Sequence, residues 1–332
     1  MHYRSVKGIS SWGQLGILIL FLGLGFILAA VVQFIIVLPL MPSGLPPGKM
    51  ADEMMNVLMR PENVTYARLS QVLGTFFLLF VPAALYLIVC HGRNKFWLGF
   101  NKHINGWQIL VGFCIIFLAN IIAVPLADYS HRLLAHMPDL NAMAQRMENA
   151  YSQQVTALSN LKSWPEFLMA IVIMAFFPAM FEEIFFRGAL QNLLVRWWKA
   201  PLIAIIVTSL VFSLIHMSVY LFLSRAILGF VLGLMYQRSK NIWVNIMAHF
   251  LNNAFVLSQL FWMSKRTQKV DLDKLDPKVS VWLGLVAAGI SFGLFLLFEK
   301  LSAKNREKVD LKEQELLDKN SRYHAFPEMQ ND

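Results

Sequence analysis

Charge is scarce in this 332-residue chain. Asp, Glu, Lys and Arg make up 15% of it, against roughly a quarter in a soluble domain. With 57% hydrophobic residues and a mean hydropathy of +0.54, that deficit excludes an ordinary soluble enzyme. It also excludes a disordered chain, a collagen and a nucleic-acid-binding module, which need polar, repetitive or basic compositions. Cysteine is nearly absent. Cys90 and Cys114 both lie in apolar stretches, so neither a disulfide framework nor a cysteine-rich zinc site can be built, and both read as small buried hydrophobes. No G-x-S-x-G and no placed Cys-His pair occurs, and Ser213 and Ser224 stand without supporting motifs. The formal net charge is +9, yet from Glu299 onward 7 basic residues face 8 acidic ones, so the excess lies in loops of the apolar body. Basic loops between apolar runs indicate a membrane protein meeting lipid headgroups, with no nucleic acid as partner.

What is present is a series of long apolar runs. A hydrocarbon core about 30 Å thick needs about 20 apolar residues of helix. Eight runs qualify: 13–40, 69–90, 107–127, 164–198, 201–220, 221–237, 242–263 and 281–298. The expected fold is all-α, a polytopic membrane helix bundle of about eight transmembrane helices. The first run continues through Ala29 and Ala30, so it reads as an uncleaved span. With both termini inside, 16 Lys and Arg fall on inner segments and 11 on outer ones, 5 of the 11 between Lys265 and Lys278. This predicts a multi-pass cell-membrane protein with cytoplasmic termini. Two long connections stand out. The segment 41–68 carries a Pro/Gly break and then a polar amphipathic stretch. In 128–163, Leu140, Met143, Met147, Tyr151, Val155 and Leu158 recur at helical spacing. That helix either lies on the membrane interface or gates a cavity. Three parts follow: membrane helices with two long loops (1–163), a four-helix membrane core (164–263), and a last span with a charged tail (264–332).

Acidic residues are the telling rarity. Between Ala150 and Val270 only Glu166, Glu182 and Glu183 occur, the adjacent pair inside AFFPAMFEEIFFRGAL. A carboxylate at membrane depth is expensive, so two together require a reason. Glu183 and Arg187 are four apart on one helix face, acid before base, and can pair. Glu182 is rotated about 100° away and lacks that partner. Around the turn at 198–201, Glu182 and His216 each lie about 25 Å along the helical hairpin, so their side chains can meet. On a further run, Asn245, His249 and Asn253 are spaced by four, with Asn252 beside them. Such a stripe can be interhelical glue. It can also supply hydrogen bonds to an oxyanion, while a carboxylate facing a histidine can take a proton from water.

Glu182, Glu183 and Arg187 form EExxxR, Phe212 and His216 form FxxxH, and His249 and Asn253 form HxxxN, in order and on separate apolar helices. The arrangement resembles the CPBP family of intramembrane proteases, also called Abi or type II CAAX prenyl proteases, over about residues 178–255. The resemblance implies an intramembrane endopeptidase acting on a membrane-associated or lipidated protein or peptide. It implies Glu182 as general base with His216, an oxyanion hole of His249 and Asn253, and Glu183, Arg187 and Phe212 as support. A Glu182/His216/His249 set can bind Zn²⁺ or another divalent ion. The H-E-x-x-H spacing is missing, so water activation without a metal cofactor is favoured. Partners are then membrane lipids and a peptide substrate. Two other classes remain: a proton-coupled transporter using the same groups as a relay, and a non-catalytic membrane scaffold.

Overall fold

The computed structural model describes residues 3–158, 161, 163–267 and 279–325. Most of the basic segment counted between Lys265 and Lys278, and the end of the tail, lie outside the described residues. The architecture is a polytopic all-α membrane bundle. In lipid, a backbone segment must satisfy its own N–H and C=O groups, and the helix is the local way of doing so. The chain forms α1 (Ser11–Leu40), α2 (Met50–Leu58), α3 (Pro61–His91), α4 (Gly106–Leu134) and α5 (Pro138–Leu158). It continues with α6 (Trp164–Trp198), α7 (Pro201–Ile215), α8 (Phe222–Ser239), α9 (Ile242–Thr267) and α10 (Val281–Ala325). Side-chain caps open several of them: Ser10 accepts from Gly13 N, Asn105 from Trp107 N and Ser163 from Glu166 N. Lys199 and Lys240, both left-handed with φ of 53° and 52°, close α6 and α8.

Helices occupy all eight apolar runs, with different bounds. Among the described residues five helices are long and apolar enough to cross a membrane: α1, α3, α4, α6 and α10. The run 201–220 is interrupted. Its helix stops at Ile215, because Met217 takes a left-handed φ of 52° and Ser218 Oγ accepts from Leu221 N at 3.2 Å, turning the chain. His216 therefore caps α7 instead of lying within a span. Helices α8 and α9 bury polar side chains, among them Ser224, Asn245, His249 and Asn252, against their neighbours. At the other extreme, α3 begins eight residues before the apolar run 69–90 and takes in Arg68, placed by sequence in a loop. Arg68 is buried, its Nε and Nη2 both donating to Leu158 O, which fastens α5 to α3. Cys90 is buried, Cys114 half-buried, and both are free thiols.

One face of the bundle gathers the N-terminal segment, the 92–105 connection, the turns at 199 and 240 and the extension of α10. Arg196 pairs with Glu313 at 2.7 Å, Arg238 with Glu299 at 2.6 Å, and Asn101 Nδ2 donates to Lys240 O at 2.7 Å. The opposite face gathers α5, the 216–221 turn and the end of α9, where Ser218 Oγ donates to Glu148 at 2.9 Å and Ser264 Oγ to Leu161 O at 3.0 Å. Exposed tryptophans mark both ends, Trp12 and Trp107 on the first face and Trp164, Trp262 and Trp282 on the second, as side chains at a membrane interface do. On α5, Leu140 and Met143 stay exposed, while Ala144 packs inward.

Helix α6 is wound more widely over Ile171–Phe176 and Ile184–Gln191, and the second stretch is buried at all eight residues. Such π segments are commonly found where a helix carries function. Gly188 lets this segment approach the 92–105 connection: a Cβ there would lie 2.8 Å from Leu98 O. We predict that Gly188→Ala destabilises the protein by about 1 to 3 kcal/mol, as overpacking does. Gly289→Ala, where a Cβ would meet nothing within 4 Å, should leave melting in detergent unchanged. Equal melting of the two variants would contradict this packing.

Candidate active site

Glu183 is completely buried and its carboxylate accepts three hydrogen bonds. Arg187 Nη1 reaches Oε1 at 3.1 Å, His249 Nδ1 reaches the same oxygen at 3.0 Å, and Asn245 Nδ2 reaches Oε2 at 3.1 Å. Arg187, also fully buried, donates through Nη2 to Gly229 O on α8 at 2.9 Å. Its guanidinium carbon lies 4.9 Å from the centre of the Phe212 ring on α7. One ion pair on α6 thus holds α7, α8 and α9 in fixed relation. Each of those bonds is charge-assisted, the stronger class of hydrogen bond.

Glu182, the neighbouring residue, turns the other way. Its side chain is 15% exposed where that of Glu183 is 0%, so only Glu182 can be reached from the cavity. That cavity, of ≈ 250 Å³, is lined by Glu182, Phe212, His216, His249, Asn252 and Asn253, together with Tyr151 and Arg225. The structure therefore brings Glu182, His216, His249, Asn253 and Phe212 to one space, with Glu183 and Arg187 behind it. His249 Nε2 stands 4.0 Å from Glu182 Oε2, so this ring lies between the two carboxylates.

Both histidines are held by Nδ1. His216 Nδ1 lies 2.7 Å from Phe212 O. A backbone carbonyl only accepts, so that nitrogen carries the proton and Nε2 presents a lone pair. The 52° tilt of the ring against Phe212 at 4.6 Å fixes its plane. The end of α7 at residue 215 is what lets His216 fold back onto its own last turn. His249 donates through Nδ1 to an ionised carboxylate, leaving Nε2 as its only atom for other chemistry. Such a group of residues can activate a water between a carboxylate and an imidazole, and can offer N–H donors from His249 and Asn253 to a developing oxyanion.

Among the described residues no three His, Cys, Asp or Glu side chains are grouped as metal ligands. Three residues around the site were not singled out in the sequence: Arg225, which lines the cavity, Asn252's partner Asn120, and Gly229, whose carbonyl accepts from Arg187. The signal for Arg225 is a lone base inside an apolar run. Nothing local marks the others. Removing one partner of the buried pair, by Glu183→Ala or Arg187→Ala, should cost about 3 to 5 kcal/mol by stranding a charge. The expected outcome is low yield and a lowered melting temperature. Normal melting of both variants would contradict the pair's structural role.

Comparison with known proteins places this group in a family context. Residues 164–255 match the family model described as type II CAAX prenyl endopeptidase Rce1-like. Two Bacillus subtilis proteins are similar to parts of the chain. The uncharacterized protein YpbD is 30% identical over 105 residues, 30% of this chain and 51% of its own length. The putative membrane peptidase YdiL is 29% identical over 89 residues, 27% of this chain and 36% of its own. The chain thus spans about half or less of the curated relatives it matches, and no solved structure matches it. The motif-bearing helices of this multi-pass membrane protein, from residue 164 to residue 255, are thus similar to those of the type II CAAX prenyl endopeptidase Rce1-like family.

Proposed function

We propose that the protein is an intramembrane endopeptidase that cleaves a peptide bond of a membrane-associated or lipidated substrate with water activated by Glu182 and His216. The observation that carries this reading is the division of labour between adjacent glutamates: Glu183 is buried and triply bonded, and Glu182 faces a cavity shared with two histidines and Asn253. A water held between the Glu182 carboxylate and His216 Nε2 gives up a proton as its oxygen attacks the scissile carbonyl carbon. The proton passes to Glu182 and then to the departing amine.

The oxyanion donors are assigned to His249 Nε2, the ring atom left for the cavity because Nδ1 is held by Glu183, and to the Asn253 amide. No metal is needed for this route. Both termini are assigned to the cytoplasm, because Arg4, Lys7, Arg93, Lys95, Lys102, Lys199 and Lys240 all lie on the face that bears them.

The test is hydrolysis of membrane peptides by protein purified in detergent. Glu182→Gln and His216→Ala should each abolish cleavage at unchanged melting temperature, and retained cleavage by either would overturn the water-activating pair. Asn253→Ala should lower kcat by about 10²- to 10³-fold with little change in KM, the loss typical of one oxyanion donor. A change confined to KM would instead make Asn253 a binding residue. Elemental analysis of the active protein should find no stoichiometric metal. About one zinc per chain, with activity lost on chelation, would reverse that part of the proposal.

A further inference from the structure

One face of α5 is turned to a short segment, the 216–221 turn that carries His216. Asn141, Ala144 and Glu148 recur at three- and four-residue spacing and share that face. Ala144 is buried, Tyr220 Oη donates to Asn141 Oδ1, and Ser218 Oγ donates to Glu148 Oε2 at 2.9 Å. Tyr220 also stacks on His131 of α4, their ring centres 3.7 Å apart. Of these contacts the Glu148 bond is the charge-assisted one, the stronger class. A carboxylate accepts and does not donate, so the Ser218 hydroxyl proton points at Glu148. The Ser218 oxygen then accepts from Leu221 N at 3.2 Å, which closes the turn.

The shape of that turn decides what the His216 ring can bond. In an unbroken α-helix the Phe212 carbonyl would accept from the backbone N–H of His216, four residues on. Here the last turn of α7 tightens to three-residue bonds, with His216 N donating to Ser213 O at 3.2 Å and Met217 N to Leu214 O at 3.1 Å. Phe212 O is thereby left for the imidazole, and His216 Nδ1 meets it at 2.7 Å. The tight ending requires Met217 to be left-handed, φ 52°, which is uphill for a residue with a Cβ. Burial of Met217 does not hold it there, because its side chain is 66% exposed. The holding contacts flank it: Arg225 Nη1 donates to His216 O at 3.0 Å on one side, and Ser218 is tied to Glu148 on the other.

We propose that Glu148 is a positioning residue for His216. Through Ser218 it keeps α7 ending in the tight turn, the tight turn frees Phe212 O, and Phe212 O fixes the ring with its proton on Nδ1 and its lone pair on Nε2. Helix α5 thus acts on the water-activating pair from outside the cavity. The effect on cleavage rests on the protease reading above, while the effect on the ring does not.

The test uses the full chain in detergent, read by peptide hydrolysis and by the side-chain spectrum of ¹⁵N-histidine-labelled protein, in which the His216 signals are those lost in His216→Ala. Glu148→Ala should lower kcat by about 10- to 100-fold, as a small misplacement of a reacting group does, with KM within about twofold and melting unchanged. Ser218→Ala should lose as much, and serves if Glu148→Ala does not fold. The double variant should be no worse than either single one, since both break the same link. Glu148→Gln, which keeps an acceptor oxygen, should restore most of kcat. In Glu148→Ala the His216 nitrogens should move from the Nδ1–H pattern to a mixture of tautomers, and in Glu148→Gln they should not. Unchanged His216 signals in Glu148→Ala, additive losses in the double variant, or a loss of kcat that Glu148→Gln shares in full would overturn the proposal. If the wild-type protein cleaves no peptide, the protease reading falls and the tautomer alone decides the role of Glu148. If Glu148→Ala cleaves normally while His216→Ala does not, the protease reading stands and this role falls.

Discussion

The buried carboxylate of Glu183 is the constraint on which the rest of the site depends. It draws Arg187 from its own helix and His249 and Asn245 from α9, while Arg187 reaches on to Gly229 of α8 and rests on Phe212 of α7. Four helices are thereby held around one charge. A lone carboxylate in that place would carry a heavy desolvation penalty, offset here by charge-assisted donors on both oxygens. Because those bonds are directional, they position side chains as well as holding helices together.

The same arrangement decides which atoms are left for chemistry. His216 spends Nδ1 on Phe212 O and His249 spends Nδ1 on Glu183, so each offers only Nε2 to the cavity. Adjacent residues Glu182 and Glu183 differ in role through a helix rotation of about 100°, one pointing at protein donors and the other at the cavity. In the proposed reaction, the inward residue holds the His249 ring in place and the outward one exchanges the proton.

Much of this was legible in the sequence. The rarity of acids marked Glu182 and Glu183, the four-residue spacing marked the Arg187 pair, and equal distances from the 198–201 turn placed His216 at the depth of Glu182. What was not legible depends on tertiary packing. That His249 sits between both carboxylates follows from how α9 rolls against α6, which no local spacing reports. The break at His216 depends on a left-handed Met217, a residue with no preference for that conformation. Arg68 looked like a loop base because helix α3 starts well before its apolar run, and its burial is explained only by the carbonyl of Leu158, 90 residues away. Arg225 was hidden inside an apolar run, its place set by a cavity that α4, α5, α8 and α9 help to wall.

The most direct test of the account is the fate of water oxygen during peptide cleavage by the purified protein in ¹⁸O-enriched water containing hydroxylamine. Direct attack by water held at Glu182 predicts one ¹⁸O in the new terminal carboxyl group, no hydroxamate product and no acylated protein at any time. A hydroxamate, a trapped acyl-protein or the absence of cleavage would contradict it.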